Sequence, residues 1–142
     1  MKYARAASLA LALLLTWSVA GAHASTPHAN RTCGVLKTLH STLTKLDQLV
    51  HQAPTLSVKH AKTQTDALKY RQMGLEIGNP VQVAPKSVDR AITDTISVLR
   101  KAVLERTHHD MRGYRRDVRS AQAHMRSAWS SFFRFRGGKR CG

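Results

Sequence analysis

Between His108 and Arg136 apolar residues recur at a spacing that suits one long helix. Met111, Tyr114, Val118, Ala121, Met125, Ala128 and Phe132 step by alternating threes and fours, which at 100° per residue lines them along one stripe. Trp129 and Phe133 widen it. Arg112, Arg115, Arg116, Arg119, Arg126 and Arg134 fall within roughly 100° of one another on a different face. A chain with such an element must supply a core for one face and leave the other to water or to anions.

The rest of the sequence supplies three more amphipathic segments. From about Cys33 to His51, Leu36, Leu39, Leu43, Leu46 and Val50 keep the same spacing, with Val35 and Leu49 beside them. Pro54 ends that segment, because the residue before a proline is biased away from helical geometry. Thr55 is the expected cap of a second helix from about Leu56 to Ile77. Its stripe is weaker: Ala61, Gln64, Leu68 and Leu75, flanked by Tyr70, Met73 and Ile77. Gly78-Asn79-Pro80 stops it, and residues 78–85 form the longest connection. A third helix starts near Pro85 or Ser87, with Val88, Ile92, Ile96, Leu99 and Val103 as its stripe. Thr107-His108-His109-Asp110 is the punctuation before the fourth. Gly113 costs that helix about 1 kcal/mol relative to alanine, and Gly137-Gly138 ends it. Four amphipathic helices with short links predict an all-α, up-down-up-down four-helix bundle.

The chain opens on a basic pentapeptide, Met1-Lys2-Tyr3-Ala4-Arg5, then an apolar run from Ala6 to about Ala20 and the small residues of Ala22-His23-Ala24. That is the plan of a secretory signal peptide, with residues 1–24 removed. The apolar run is shorter than the ~20 residues a membrane span needs. Residues 25–32 are expected as a flexible lead-in and 33–142 as the bundle domain. Asn30-Arg31-Thr32 matches a glycosylation acceptor in a eukaryotic source. Two cysteines in an exported chain, Cys33 and Cys141, predict a disulfide. An up-down bundle brings the start of its first helix and the end of its fourth to one end, so bundle and disulfide support each other. The expected location is the periplasm or the extracellular space.

Charge points to the partner. The formal net charge is +15, and residues 85–142 hold fourteen Lys/Arg against five acids. The helix-four arginines are the candidate anion-binding residues, since guanidinium forks match phosphate and carboxylate geometry. Lipopolysaccharide, anionic lipid, nucleic acid or an acidic protein would suit them. Trp129, Phe132, Phe133 and Phe135 offer a membrane-inserting patch or a homodimer contact if helix four, at roughly 43 Å, outruns helix one at roughly 28 Å. No Ser-His-Asp grouping can be assigned, and the acids are scattered, with Asp89, Asp94 and Glu105 expected to pair with Arg90, Arg100 and Lys101. Non-catalytic binding is the expectation. His108-His109 beside Asp110 reads as two solvated loop histidines; adjacent helical residues point about 100° apart, which disfavours a shared metal.

The segment Arg126-Ser127-Ala128-Trp129-Ser130-Ser131-Phe132-Phe133-Arg134 resembles the C-terminal segment of the periplasmic cytochrome b562 family, where an arginine precedes an Ala-aromatic pair and a second aromatic precedes a terminal arginine. Val88–Val103 can be laid beside that family's third helix, and Lys37-Thr38-Leu39 with the following leucines is similar to its first. The resemblance implies a four-helix bundle, haem and electron transfer. Its axial methionine would fall at Leu36 and its axial histidine at Ser130, neither of which binds iron as the family does. His40, one turn after Leu36, and Met125 are the substitute ligands a haem reading would need. No cofactor is therefore expected, with a haem-binding electron carrier as the alternative. A secreted helical effector or signalling protein is a third reading.

Overall fold

The computed structural model of the chain describes residues 27–78, 85–138 and 141. The leader at 1–24, the 79–84 connection with Val81 and Val83, and the side chains of Met73, Leu75 and Ile77 lie outside the described residues. Four helices follow in order: α1 Pro27–His51, α2 Val58–Gly78, α3 Lys86–Thr107 and α4 Met111–Arg136. The described residues contain no strand.

α1 begins at Pro27, six residues before Cys33, so most of the expected lead-in is helix. Proline suits a first turn, where its missing N–H would have no partner. α1 then holds 25 residues and α4 holds 26. They match in length, and the overhang expected for α4 is absent. Leu39, Leu43 and Leu46 are almost wholly buried; each contributes roughly 1.5–3 kcal/mol by leaving water.

α2 departs most from expectation. Its inner positions are Ala61, Thr65, Leu68 and Gln72, while Gln64 and Tyr70 are exposed. Thr65 can be buried because its hydroxyl donates to the Ala61 carbonyl at 2.6 Å and accepts from Arg100 Nε at 2.6 Å. The α2 cap is Ser57, whose Oγ accepts from the His60 N–H at 3.2 Å; the Thr55 hydroxyl instead donates back to the Gln52 carbonyl. α3 is entered from Pro85, which makes no side-chain cap, and Ser87 lies within its first turn.

α3 and α4 share the most extensive interface, and α1 packs on both α2 and α4. Three residues join α3 to α4. His109 takes a left-handed conformation (φ 60°), and Asp110 caps α4 by accepting from the Gly113 N–H at 2.9 Å. A Cβ at Gly113 would lie 2.7 Å from Glu105 Cδ and would also meet the Asp110 carboxylate, so the flexible ends of both side chains would have to shift for a larger residue. Met111, placed in the core stripe by its spacing, is 45 % exposed, because it opens α4 just past the corner where α3 no longer covers it. At the other end of α4, Gly137 turns the chain at positive φ, and Cys141 returns to bond Cys33 with their Cα atoms 5.5 Å apart.

Arg106 ties the end of α3 to the α1–α2 turn, donating to the carbonyls of Pro54 and Leu56. Arg71 of α2 reaches Ser41 of α1 at 3.5 Å. Arg100 of α3 binds Asp66 of α2 at 2.6 Å, rather than Asp94 of its own helix. No described helix is long and apolar enough to cross a membrane.

Candidate functional site: the outer face of α4 and the disulfide-end cleft

All six arginines expected on one face, Arg112, Arg115, Arg116, Arg119, Arg126 and Arg134, are exposed. The reason is the helix itself: Tyr114, Ala121, Met125, Ala128 and Phe132 are buried against the other helices, which turns the arginine face outward. From Arg112 to Arg134 this face runs roughly 33 Å at 1.5 Å per residue. Arg112, Arg119, Arg126 and Arg134 make no hydrogen bond or ion pair among the described residues. Arg115 donates only to the Met111 carbonyl of its own helix, at 3.1 Å.

Arg116 differs. Its Nε donates to Asp117 Oδ1 at 2.7 Å and its terminal nitrogen lies 3.2 Å from Glu105 Oε1. Lys101 Nζ completes a four-residue cluster, 2.9 Å from Asp117 Oδ2 and 3.5 Å from Glu105 Oε1. Asp117 is buried. The Arg116 hydrogen bond, joined by Lys101, outweighs burial and holds its carboxyl down to about 2. Lys101 is raised in turn, first by its bond to Asp117. This cluster clasps α3 to α4 and removes Arg116 from the set of free cations. Asp66 is likewise held below the usual carboxylate range by its hydrogen bond to Arg100.

The second feature lies where α1, the end of α4 and the disulfide meet. A cleft of about 480 Å³ is lined by Cys33, Gly34, Leu36, Lys37, His40, Phe132, Arg136 and Cys141. Beside it the aromatic rings form one cluster. His40 sits edge-on to Trp129 with centroids 5.5 Å apart and 5.9 Å from Phe132, and Trp129 stacks on Phe133 at 5.6 Å. Phe132 is buried, Trp129 and Phe135 are part-buried against the core, and Phe133 is 54 % exposed. The four aromatics expected as an exposed patch thus reduce to one strongly exposed ring, because α1 runs alongside them.

The haem donors carried over from the b562 resemblance do not fit. Leu36 is a core residue and Ser130 is exposed, and neither side chain ligates iron. Of the substitutes, His40 lines the cleft, and Met125 is buried in the core and is not among the cleft's described lining residues. The described residues hold no group of three or more His, Cys, Asp or Glu placed to bind a metal ion.

Comparison of the chain with protein-family models, curated proteins and solved structures gives no match. The class is therefore carried by geometry alone: four helices, one disulfide between the first and the end of the last, and a cationic outer face.

Proposed function

We propose that the protein is an exported, non-catalytic binding protein that holds a phosphate-bearing anionic surface on the outer face of α4. The observation that carries this is the row of exposed guanidinium groups at Arg112, Arg119, Arg126 and Arg134, which have no partner among the described residues, with Arg115, bonded only to its own helix, between them. Lipopolysaccharide, anionic lipid, nucleic acid and an acidic protein all offer the chemistry those forks take, and phosphate suits them best. Export, with residues 1–24 cleaved and the mature chain in the periplasm or outside the cell, is supported by the Cys33–Cys141 disulfide, a bond that persists in oxidising compartments. An up-down-up-down bundle of the cytochrome b562 kind is supported by contacts between successive helices, Ser41 with Arg71 and Asp66 with Arg100, and by the Cys33–Cys141 bond that joins the first helix to the end of the last.

The test is binding to lipopolysaccharide, phosphatidylglycerol vesicles and duplex DNA over a range of salt, for the wild type and for Arg115→Ser/Arg119→Ser/Arg126→Ser. Affinity should fall steeply with salt, and the triple variant should lose at least tenfold on the true partner. Wild-type affinity retained by the triple variant on all three would refute the proposal.

Haem held at the disulfide-end cleft is the second reading. It is favoured by His40, whose imidazole lines the cleft beside Leu36. Hemin titration decides it: a Soret shift lost in His40→Ala would support it, and no shift in the wild type would end it.

A further inference from the structure

The cleft at the disulfide end differs in kind from the arginine face. Its apolar wall is made by Leu36, Phe132 and the disulfide, and its rim carries Lys37 and Arg136. Among the described residues no Asp or Glu lines it. Its volume of about 480 Å³ falls within the ~300–1,000 Å³ usual for small-molecule sites. An apolar wall under a purely cationic rim complements one kind of occupant, a molecule with an apolar body and an anionic head.

Gly34 is exposed. It sits inside α1, where glycine is a poor helix former. A Cβ at Gly34 would meet nothing within 4 Å, so no neighbour demands the missing side chain. Gly34 lines the cleft. A side chain at position 34 would point into open space.

We propose that this cleft binds a single-chain acyl carboxylate, its alkyl chain against Leu36, Phe132 and the disulfide and its carboxylate between Lys37 and Arg136. The long stems of Lys37 and Arg136 let their charged ends reach the head while their methylenes cover the chain. The site is independent of the arginines assigned above to the anionic surface.

Calorimetry on the full chain with its disulfide intact, using octanoate, decanoate and dodecanoate below their micelle concentrations, tests the proposal. Affinity should rise about two- to fourfold per added methylene until the cleft is filled. Dodecanol should bind at least tenfold more weakly than dodecanoate, and Lys37→Glu/Arg136→Glu should show the same loss. Bound dodecanoate should also slow reduction of Cys33–Cys141 several-fold, since the alkyl chain covers the sulfurs. Arg115→Ser/Arg119→Ser/Arg126→Ser should bind dodecanoate as the wild type does, so the two sites can fail separately. Absence of saturable dodecanoate binding would overturn the proposal. So would equal binding of dodecanol, unchanged binding by Lys37→Glu/Arg136→Glu, or binding confined to phosphatidylglycerol vesicles or to hemin.

Discussion

Asp117→Asn isolates what the α3–α4 ion cluster contributes. In the folded protein the Asp117 carboxylate touches Arg116 at 2.7 Å and Lys101 at 2.9 Å, and its carboxyl is held at about 2 against an ordinary 3.8. Each unit of that difference is about 1.4 kcal/mol between folded and unfolded chains. Both partners are more than half exposed, so water screens part of the attraction. The stabilisation at neutral pH is then roughly 1–2 kcal/mol. A depressed folded value contributes stability that is fully present above the unfolded value and lost as pH falls through the folded one. The window is therefore from about 4 down to about 2.

Asparagine keeps the shape and removes the charge, so it should unfold more easily by roughly 1–2 kcal/mol at pH 7 in urea titration. At pH 2 the wild-type carboxyl is itself about half neutral, and most of the gap between the two proteins should have closed. Other carboxylates titrate over the same range, but they do so in both proteins and cancel in the difference. A gap of the same size at pH 7 and at pH 2 would show that Asp117 acts through packing, and no gap at pH 7 would show that the cluster does not stabilise the fold.

Two further predictions concern covalent and steric closure. Cys33→Ser/Cys141→Ser releases a loop with a sequence separation of 108, for which the chain-entropy model gives about 5 kcal/mol at 25 °C. Urea unfolding should show most of that loss with helix content retained under native conditions, and a loss below about 1 kcal/mol would mean that packing of α1 on α4 alone closes the bundle. Gly113→Ala sets alanine's better helix propensity, about 1 kcal/mol, against displacing the flexible ends of Glu105 and Asp110 that its Cβ would meet; thermal melts should show a net change within about 1 kcal/mol, and a loss above about 3 kcal/mol would show that those carboxylates cannot give way.

Legibility in the sequence followed the physical source of each feature. α1, α3 and α4 are visible because their inner faces are hydrocarbon at helical spacing, as at Leu39, Leu43, Ile92, Ile96, Met125 and Phe132, and burial of such residues is decided locally by periodicity. α2 was misread at its centre, where Gln64 took the place of Thr65. A hydrophobic count cannot see that Thr65 is made apolar in effect by bonding Ala61 and Arg100, since the Arg100 bond exists only after α3 docks. The acid cluster was hidden for the same reason: Lys101 and Glu105 belong to α3, Asp117 and Arg116 to α4, and only the three-residue corner between the helices sets them in register. The cleft needed more still, because one wall is the Cys33–Cys141 disulfide, whose halves lie 108 residues apart in sequence and meet only once α1 and α4 have packed.

That contrast bears on how the two proposed sites would behave. The arginine face exists wherever α4 is helical and its apolar stripe is covered, so its charge pattern survives any change that leaves the bundle intact. The cleft exists only while Cys141 is held against α1, because its wall includes both sulfurs. Reduction should therefore abolish acyl-carboxylate binding and leave salt-dependent binding to phosphate surfaces in place. Measuring both on the reduced but still helical protein separates them in one sample: loss of both together would mean that α4 itself had come away from the bundle, and retention of both would show that the disulfide is no part of the acyl site.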